Sequence, residues 1–372
     1  MQIHGTFDPA FAPVADELKR QLRRFGGGAA ASVWLEGEPV VDIWAGNAWQ
    51  DDQPWTRSTI ALSFSATKGV TSTLFHILAA QGHFDYEAPV ARYWPEFGQN
   101  GKQRITIRHL LAHEAGLFQM RGLTTSIEDV LDWNGMIRRL EQAEAVHAPG
   151  VANGYHAFTI GWLLGHLIEL ATGQSFSEAL QTHLNGPLGL EHLHIGISDE
   201  ETFDLLADIE GLPPLHEGEH PRWIHRYRIP RGIPFPIDRI IAAGQTPRAV
   251  LTEITHRRFY EVPIPSANGT FTARDLAKMY AMLACDGELR GTRLLPRGHV
   301  AFISERQARR LDRRVLYPLH WRLGYHRADS VWKNYPEAFG HYGFGGAGGW
   351  ANPKYRLSAA LVHNGYPMSL RG

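Results

Sequence analysis

A mostly apolar run that ends in a serine constrains the fold of this chain more than any other segment. Residues 60–64 fit a short buried strand, and Ser65 follows them directly. After Ser65, apolar residues recur at the spacing of one helical face until Gly82, a residue type that commonly ends helices. The pattern predicts a strand that leads into a helix, with Ser65 and Lys68 at the junction.

Ser65 and Lys68 form an S-x-x-K tetrad. A serine at a helix N-terminus lies at the positive end of the helix dipole, and its backbone N–H is free. Lys68 follows about one turn later, so its amine lies on the same face as the hydroxyl and can take the serine proton. Taken alone, however, the tetrad favours an N-cap serine followed by an exposed lysine, because two fixed residues in four recur by chance.

Other segments predict helices and strands on both sides of this junction. Residues 30–36 and 39–45 predict a strand pair, and residues 340–363 predict two strand-like segments around a Gly-rich turn. Residues 207–263 are rich in Pro and Arg, and we expect a long irregular surface segment that serves as a lid or substrate wall. Hydrophobic periodicity predicts helices over residues 13–25, 105–112, 160–171 and 272–285.

The composition excludes several classes of function. With 37 basic and 38 acidic residues among 372, the net charge is -1, and nothing attracts the chain to nucleic acid or an anionic membrane. Cys285 is the single cysteine, so no intramolecular disulfide forms. Residues 1–19 do not resemble a signal peptide, and there is no run of 18 apolar residues. We therefore expect a soluble cytoplasmic protein, which argues against a role in the cell wall.

Two motif matches do not point to cofactors. Residues 343–348 fit G-x-G-x-x-G, but Trp-Ala-Asn-Pro follows where a dinucleotide site needs a helix. Residues 216–220 fit H-E-x-x-H, but the prolines and the glycine around them disfavour the helix that zinc binding requires. We expect no cofactor and no metal. There is also no G-x-S-x-G elbow, so the α/β-hydrolase fold has no support.

Ordered matches along the chain resemble the serine β-lactamase and penicillin-binding-protein superfamily. The likeness is greatest to class C β-lactamases and, above all, family VIII carboxylesterases. Together the matches span about residues 29–365, and their order is far more specific than any one of them. They are residues 63–69 (Ser-Phe-Ser-Ala-Thr-Lys-Gly), 105–117, Tyr155, 171–176, 187–190, 266–269, 272–276 and 339–346.

The resemblance implies a fold of the α/β class (α+β type). This is the β-lactamase/DD-peptidase-like fold, an antiparallel sheet flanked by helices plus a mainly helical region, with the active site between them. We expect a single catalytic domain over residues 1–372. Its α/β region is about residues 1–85 plus 270–372, and its helical and loop region about 86–269. The similar enzymes usually carry a helix after the last strand, packed on the sheet, and this sequence stops about nine residues past His363. Either that helix is missing from this sequence or another surface covers this face, and an exposed sheet face of that size would favour a homodimer.

The family's second motif begins with a tyrosine, and Tyr155 occupies that place. The resemblance implies that this phenol acts as general base beside Lys68. Because a phenol titrates near ~10, the positive charge of Lys68 must favour the phenolate. The alternative is a core tyrosine with a structural hydrogen bond. The family asparagine two residues later is replaced by Ala157, which weakens the interpretation as a β-lactamase.

The third motif of the family is usually Lys-Thr-Gly, and His341, Tyr342 and Gly343 stand there. The resemblance implies that they bind substrate. A histidine is mostly neutral at pH 7, so the positive charge that holds a β-lactam carboxylate is reduced. Carboxylesterases of the superfamily often show such a replacement.

Two further site residues are expected near this motif. The resemblance implies that the backbone N–H groups of Ser65 and Phe344 form an oxyanion hole. Trp350 follows closely on the same segment. It could bind the acyl group of the substrate as one wall of a pocket, or it could lie in the core.

The leading functional hypothesis is a serine hydrolase, a carboxylesterase acting on small or short-chain acyl esters. Ser65 would form an acyl-enzyme, and Tyr155 with Lys68 would move the proton. An acyltransferase, a weak β-lactamase or a D-amino-acid peptidase would use the same site. The third hypothesis is a catalytically inactive relative that binds an acyl ligand.

Overall fold

Both ends of the chain contribute strands to one antiparallel sheet. The computed structural model describes residues 1–49, 53–210, 250, 253–307, 312–314, 318–328 and 335–366. Its strands are β1 (His4–Phe7), β2 (Gly28–Leu35), β3 (Glu38–Gly46), β4 (Ala61–Leu62), β5 (Leu193–His194), β6 (Thr270–Phe271), β7 (Glu288–Leu289), β8 (Thr292–Arg293), β9 (His326–Arg327), β10 (Phe339–Tyr342), β11 (Gly348–Asn352) and β12 (Leu357–His363). The main sheet has the order β1-β3-β2-β12-β11-β10-β9, so an N-terminal strand pairs directly with the last strand. A small sheet has the order β4-β6-β5, and β7 pairs with β8.

Helices cover the sheet and build a separate helical layer around α6. The described helices are α1 (Ala12–Phe25), α2 (Thr67–Ala80), α3 (Ile107–Leu111), α4 (Ile127–Leu131), α5 (Trp133–Gln142), α6 (Thr159–Thr172), α7 (Phe176–Leu180), α8 (Gly186–Leu188), α9 (Glu200–Phe203), α10 (Arg258–Glu261), α11 (Ala273–Ala284) and α12 (His299–Ser304). Helix α11 packs across β2, β11 and β12, while α6 packs against α2, α3, α5 and α7. This is the antiparallel sheet with flanking helices that the sequence predicts.

Alternate residues of β12 enter two different hydrophobic cores. Ala360 and Val362 belong to the large core that contains α11, whereas Leu357, Ala359 and Leu361 pack on the smaller core under α1. Successive side chains of a strand point to opposite faces, so the two cores lie on opposite faces of the sheet. Both faces are therefore apolar at this strand, one covered by α11 and the other by α1.

Four predicted helices are confirmed within a residue or two. The segments 13–25, 105–112, 160–171 and 272–285 form α1, α3, α6 and α11. Helix α6 ends at Gly173, which adopts the left-handed conformation with φ +68° that glycine tolerates without strain. Helix α11 begins after Thr272, whose side chain accepts the N–H of the third helical residue.

The predicted strand pair is also confirmed as the hairpin β2–β3. Its two-residue turn has φ +52° at Glu36 and +85° at Gly37. Positive φ at both central residues defines the turn type that matches the twist of a tight hairpin.

The C-terminal prediction of two strand-like segments is wrong, because residues 340–363 contribute to three strands. A 3-10 turn at Pro353–Tyr355 separates β11 from β12, and the Asn352 side chain accepts the Lys354 N–H at 3.1 Å. Arg356 then takes φ +47° and closes the turn. The dipeptide Asn352-Pro353 is the sequence signal that predicts this turn.

Several sequence expectations fall outside the described residues. Residues 211–249 and 251–252 lie there, and so does the H-E-x-x-H segment 216–220. The described part of 207–263 contains the short helix α10, and the irregular course of the rest stays a prediction. The division into two regions of one domain also stays a prediction. Of the helices that the structure describes, none combines the length and hydrophobicity needed to cross a bilayer.

The helical layer around α6 generates a stability prediction. Leu163 is fully buried on α6 and Leu170, on the same helix, is 47% exposed. Leu163→Ala should lower the free energy of unfolding by about 2–5 kcal/mol, because it loses apolar burial and leaves a cavity. Leu170→Ala is the matched control and should change it by less than about 0.5 kcal/mol. Urea unfolding measures both, and equal losses would contradict the packing described.

Candidate active site

Ser65 lies where β4 gives way to α2. A 3-10 turn over Phe64–Ala66 joins them, and Phe64 has φ +45°, which a non-glycine residue rarely adopts. Such a conformation costs roughly 1–3 kcal/mol and is kept where the surroundings enforce it. The Phe64 ring makes edge contacts at 5.5 Å with Phe344 and with Tyr366. The strained residue therefore fixes the direction in which Ser65 leaves the strand.

Lys68 lies one turn further along and faces the Ser65 hydroxyl. Its Nζ is 3.0 Å from Ser65 Oγ and 2.6 Å from the carbonyl oxygen of Ser266. The side chain is 2% exposed, and burial lowers the pKa of the Lys68 amine well below its ordinary value. Burial therefore favours the neutral amine, which can donate to Ser266 and accept a proton from Ser65.

Tyr155 reaches the same hydroxyl from the other side. Its phenol donates to Ser65 Oγ at 2.8 Å, and the Lys68 Nζ lies 5.0 Å from the centre of its ring. Burial raises the pKa of the Tyr155 phenol above its ordinary value, and the hydrogen bond with Ser65 offsets only part of that rise. Burial raises the pKa of the phenol and lowers the pKa of the amine, so it favours a neutral phenol beside a neutral amine. This differs from the phenolate, stabilised by a charged lysine, that the family resemblance implies.

His341 lies on β10 on the side that faces α2. A Cβ added at Gly69 of α2 would lie 3.3 Å from the Cβ of His341. The Nδ1–H of His341 donates to the Tyr342 carbonyl at 3.1 Å, since that oxygen can only accept. Its Nε2 is buried and has no hydrogen-bond partner among the described residues. Burial, with a further effect of His326, lowers the pKa of His341 well below its ordinary value, so this position offers a neutral acceptor.

Gly343 lets the end of β10 approach the strand before Ser65. A Cβ at Gly343 would lie 2.0 Å from the Ser63 carbonyl oxygen, so any other residue would push the two segments apart. This contact brings Phe344 against Phe64 and therefore next to Ser65 in space. Tyr342 is half-buried, and its backbone N–H donates to His326 Nε2 at 3.2 Å.

The structure does not bring Trp350 to this cluster. On the paired strands β10 and β11, His341 lies opposite Gly349 and Gly340 lies opposite Trp350. Neighbouring residues alternate between faces, so Trp350 points to the face opposite His341. Its partner on the other side is Ala359, which packs on the α1 core. Closeness in sequence to the third motif therefore does not put this indole beside Ser65.

Sequence reasoning missed residues that arrive from distant parts of the chain. Ser266, which lies in one of the matched segments, supplies a carbonyl to Lys68. The Trp321 indole stacks on the Tyr155 ring with centroids 5.3 Å apart, and its Nε1–H donates to Asp312. No local pattern marks these roles. Residues 343–347 form the turn between antiparallel β10 and β11, so a strand and not a helix follows this glycine-rich segment.

The antiparallel sheet, its helices and the Ser65 cluster define a hydrolase of the serine β-lactamase fold. Residues 18–371 match the Beta-lactamase family model, and the chain belongs to the beta-lactamase family. It is 38% identical over 377 residues to the esterase/beta-lactamase LipL of Mycobacterium tuberculosis, covering 98% of this chain and 83% of LipL. It is 28% identical to the esterase EstB of Burkholderia gladioli, covering 55% of this chain and 54% of EstB.

Solved structures show the same fold. A family VIII carboxylesterase superposes with a TM-score of 0.85 at 29% identity, covering 100% of this chain and 96% of its own. A penicillin-binding-protein homologue from Caulobacter crescentus gives a TM-score of 0.81 at 29% identity, covering 100% of this chain and 95% of its own. The sequence-based prediction of the superfamily and of its fold is confirmed.

The buried amine of Lys68 predicts how stability depends on pH. An unfolded lysine holds its proton up to about 10.4, whereas the folded Lys68 has a lower pKa. Between the two pKa values the unfolded chain binds the extra proton, so the free energy of unfolding rises with pH, by at most about 1.4 kcal/mol per unit.

We therefore expect wild-type stability minus that of Lys68→Met to increase as the pH is raised through this window. Urea unfolding at several pH values measures the difference. The same substitution at the surface residue Lys19 controls for the loss of a lysine. Parallel stability curves for wild type and Lys68→Met would contradict the lowered pKa.

Proposed function

We propose that this chain is a carboxylesterase that acts on small or short-chain acyl esters through an acyl-enzyme on Ser65. One observation carries the proposal. Two buried groups able to move protons, the Lys68 amine and the Tyr155 phenol, lie 3.0 and 2.8 Å from the same Ser65 hydroxyl oxygen. An alcohol is a weak nucleophile until a base takes its proton, and this arrangement supplies both a base and an acid.

In acylation, the neutral Lys68 amine takes the Ser65 proton while Oγ forms a bond to the ester carbonyl carbon. The backbone N–H groups of Ser65 and Phe344 hold the resulting oxyanion, and one such donor is typically worth a factor of about 100 or more in rate. The intermediate collapses by breaking the bond to the alcohol oxygen. Tyr155 gives that oxygen its proton and regains one from the Lys68 ammonium.

In deacylation, water takes the place of the alcohol. Tyr155 takes one proton from the water and passes its own proton to Lys68 as the water oxygen bonds to the acyl carbon, and the bond to Ser65 Oγ then breaks. Ser65 regains a proton from Lys68, and the acid leaves. Each group returns to its starting state, so no further reactant is required.

Two replacements favour an ester over a β-lactam. The ring of His341 is neutral, and its buried Nε2 offers a lone pair in place of the cation that attracts a carboxylate. Ala157 has no amide to hold a lactam. The names of two relatives agree, since LipL and EstB are both called esterases. The partner we propose is therefore a small acyl ester.

A weak β-lactamase is the second candidate, because the name of LipL includes that activity. Turnover of a chromogenic cephalosporin as fast as p-nitrophenyl butyrate would favour it. An acyltransferase or D-amino-acid peptidase would share the acyl-enzyme, and a ligand-binding relative would not form one. We also propose that the chain works as a single catalytic domain in the cytoplasm. The exposed sheet face that would favour a homodimer is not found at β12, because α11 covers one face of this strand and α1 the other.

The proposed nucleophile gives a direct prediction. Ser65→Ala should lower kcat for p-nitrophenyl butyrate by roughly 10³-fold or more, because the acyl-enzyme no longer forms. Ser63→Ala is the matched control. Ser63 is buried two residues away, and its hydroxyl donates to the Ala61 carbonyl, so the control should keep most of the activity. Full activity of Ser65→Ala would contradict the proposal.

A further inference from the structure

The backbone around Tyr155 does not by itself fix the phenol. Tyr155 lies in an irregular segment between α5 and α6, and its carbonyl accepts the Ala157 N–H at 2.9 Å in a tight turn. A tyrosine ring outside regular secondary structure takes its orientation mainly from the groups that pack on it. The groups that contact this ring therefore decide whether its hydroxyl reaches Ser65.

The Trp321 indole packs against the Tyr155 ring. The two rings lie 5.3 Å apart at an angle of 26°, an offset stack that is favourable for aromatic pairs. The His113 ring packs on Trp321 at 4.1 Å and meets Tyr155 nearly edge-on at 5.4 Å. Lys68 Nζ lies 5.0 Å from the Tyr155 ring centre. The indole, the imidazole and the amine therefore all lie close to the Tyr155 ring.

A buried carboxylate holds Trp321 in turn. The indole Nε1–H donates to Asp312 Oδ2 at 2.9 Å, and Asp312 Oδ1 accepts the Arg314 backbone N–H at 2.9 Å. Trp321 is 2% exposed and Asp312 is 1% exposed. Because a buried N–H is costly to leave without an acceptor, this hydrogen bond persists in the folded state. It fixes the plane of the indole, and so the surface on which Tyr155 stacks.

The same small cluster contains the alanine that departs from the family motif. Tyr155, Ala157 and Trp321 form a separate apolar core, with Phe158 and Leu319 packed against it. Ala157 brings no amide that could order the neighbouring polar groups. The surroundings of Tyr155 on this side are apolar, so the position of its ring depends on packing against other side chains.

We propose that Trp321, anchored by Asp312, is the positioning residue that directs the Tyr155 hydroxyl to Ser65. It acts through Tyr155 and touches no reacting atom. The proposal rests on the proposed function, because it presupposes that Tyr155 moves a proton to and from the Ser65 oxygen. Small misplacement of a catalytic group typically costs on the order of 100-fold in rate. Loss of the Trp321 contact with Tyr155 should therefore lower kcat.

The test is a double-mutant cycle with p-nitrophenyl butyrate. Trp321→Phe keeps a ring but loses the anchor, and kcat should fall about 10-fold or more while KM changes by less than about twofold. In the Tyr155→Phe background the same substitution should have little further effect on kcat, because the group that it positions is gone. An additive loss, or a rise in KM with kcat unchanged, would overturn the proposal.

The anchor and a structural control complete the experiment. Asp312→Asn, which keeps an acceptor oxygen, should retain more activity than Asp312→Ala, and the reverse order would overturn the role of the anchor. Trp94→Phe is the matched control, since Trp94 is 1% exposed and donates its Nε1–H to Glu141 at 2.9 Å. It should leave kcat unchanged. A loss of kcat equal to that of Trp321→Phe would show that Trp321 contributes only to general stability and would overturn the proposal. Full activity of the Tyr155→Phe single variant would instead overturn the proposed function itself.

Discussion

The burial of one lysine amine beside one serine hydroxyl is the constraint on which the rest of the site depends. Lys68 is 2% exposed, and within the described part of the chain its amine has hydrogen-bond partners only in uncharged oxygens of Ser65 and Ser266. A charged ammonium is costly in such a place unless a counter-charge accompanies it. The neutral amine is therefore favoured, and a group that is ordinarily an acid becomes a base. Tyr155 responds to the same burial by keeping its proton.

The fold supplies this environment by bringing distant segments against the start of α2. Gly343 allows the end of β10 to lie against the Ser63 carbonyl, and Phe64 adopts a strained conformation held by aromatic contacts. The turn before α11 supplies the Ser266 carbonyl. Because these groups converge from the sheet and from the helical layer, the site exists only when both are assembled. A rigid cluster of this kind can orient a proton transfer without reorganising during the reaction.

Local sequence patterns predicted the elements that carry Ser65 but not the contacts that tune its surroundings. The apolar run before Ser65 and the helical periodicity after it predicted the strand–helix junction, and the ordered matches predicted the fold. The protonation preference of Tyr155 depends on burial, which no motif encodes. The face of Trp350 depends on strand register, and the stacking of Trp321 on Tyr155 joins residues 166 positions apart in the chain. Tertiary packing decides all three.

The pH titration of Lys68 itself is the most direct measurement. NMR of ¹³C-labelled lysine side chains reads the pKa, and the signal lost in Lys68→Met identifies the residue. We expect Lys68 to lose its proton well below the ordinary value of about 10.4, and kcat/KM for p-nitrophenyl butyrate to rise with pH through the same titration. A Lys68 signal that titrates near ~10.4 would contradict the account, because the amine beside Ser65 would then be an acid at neutral pH.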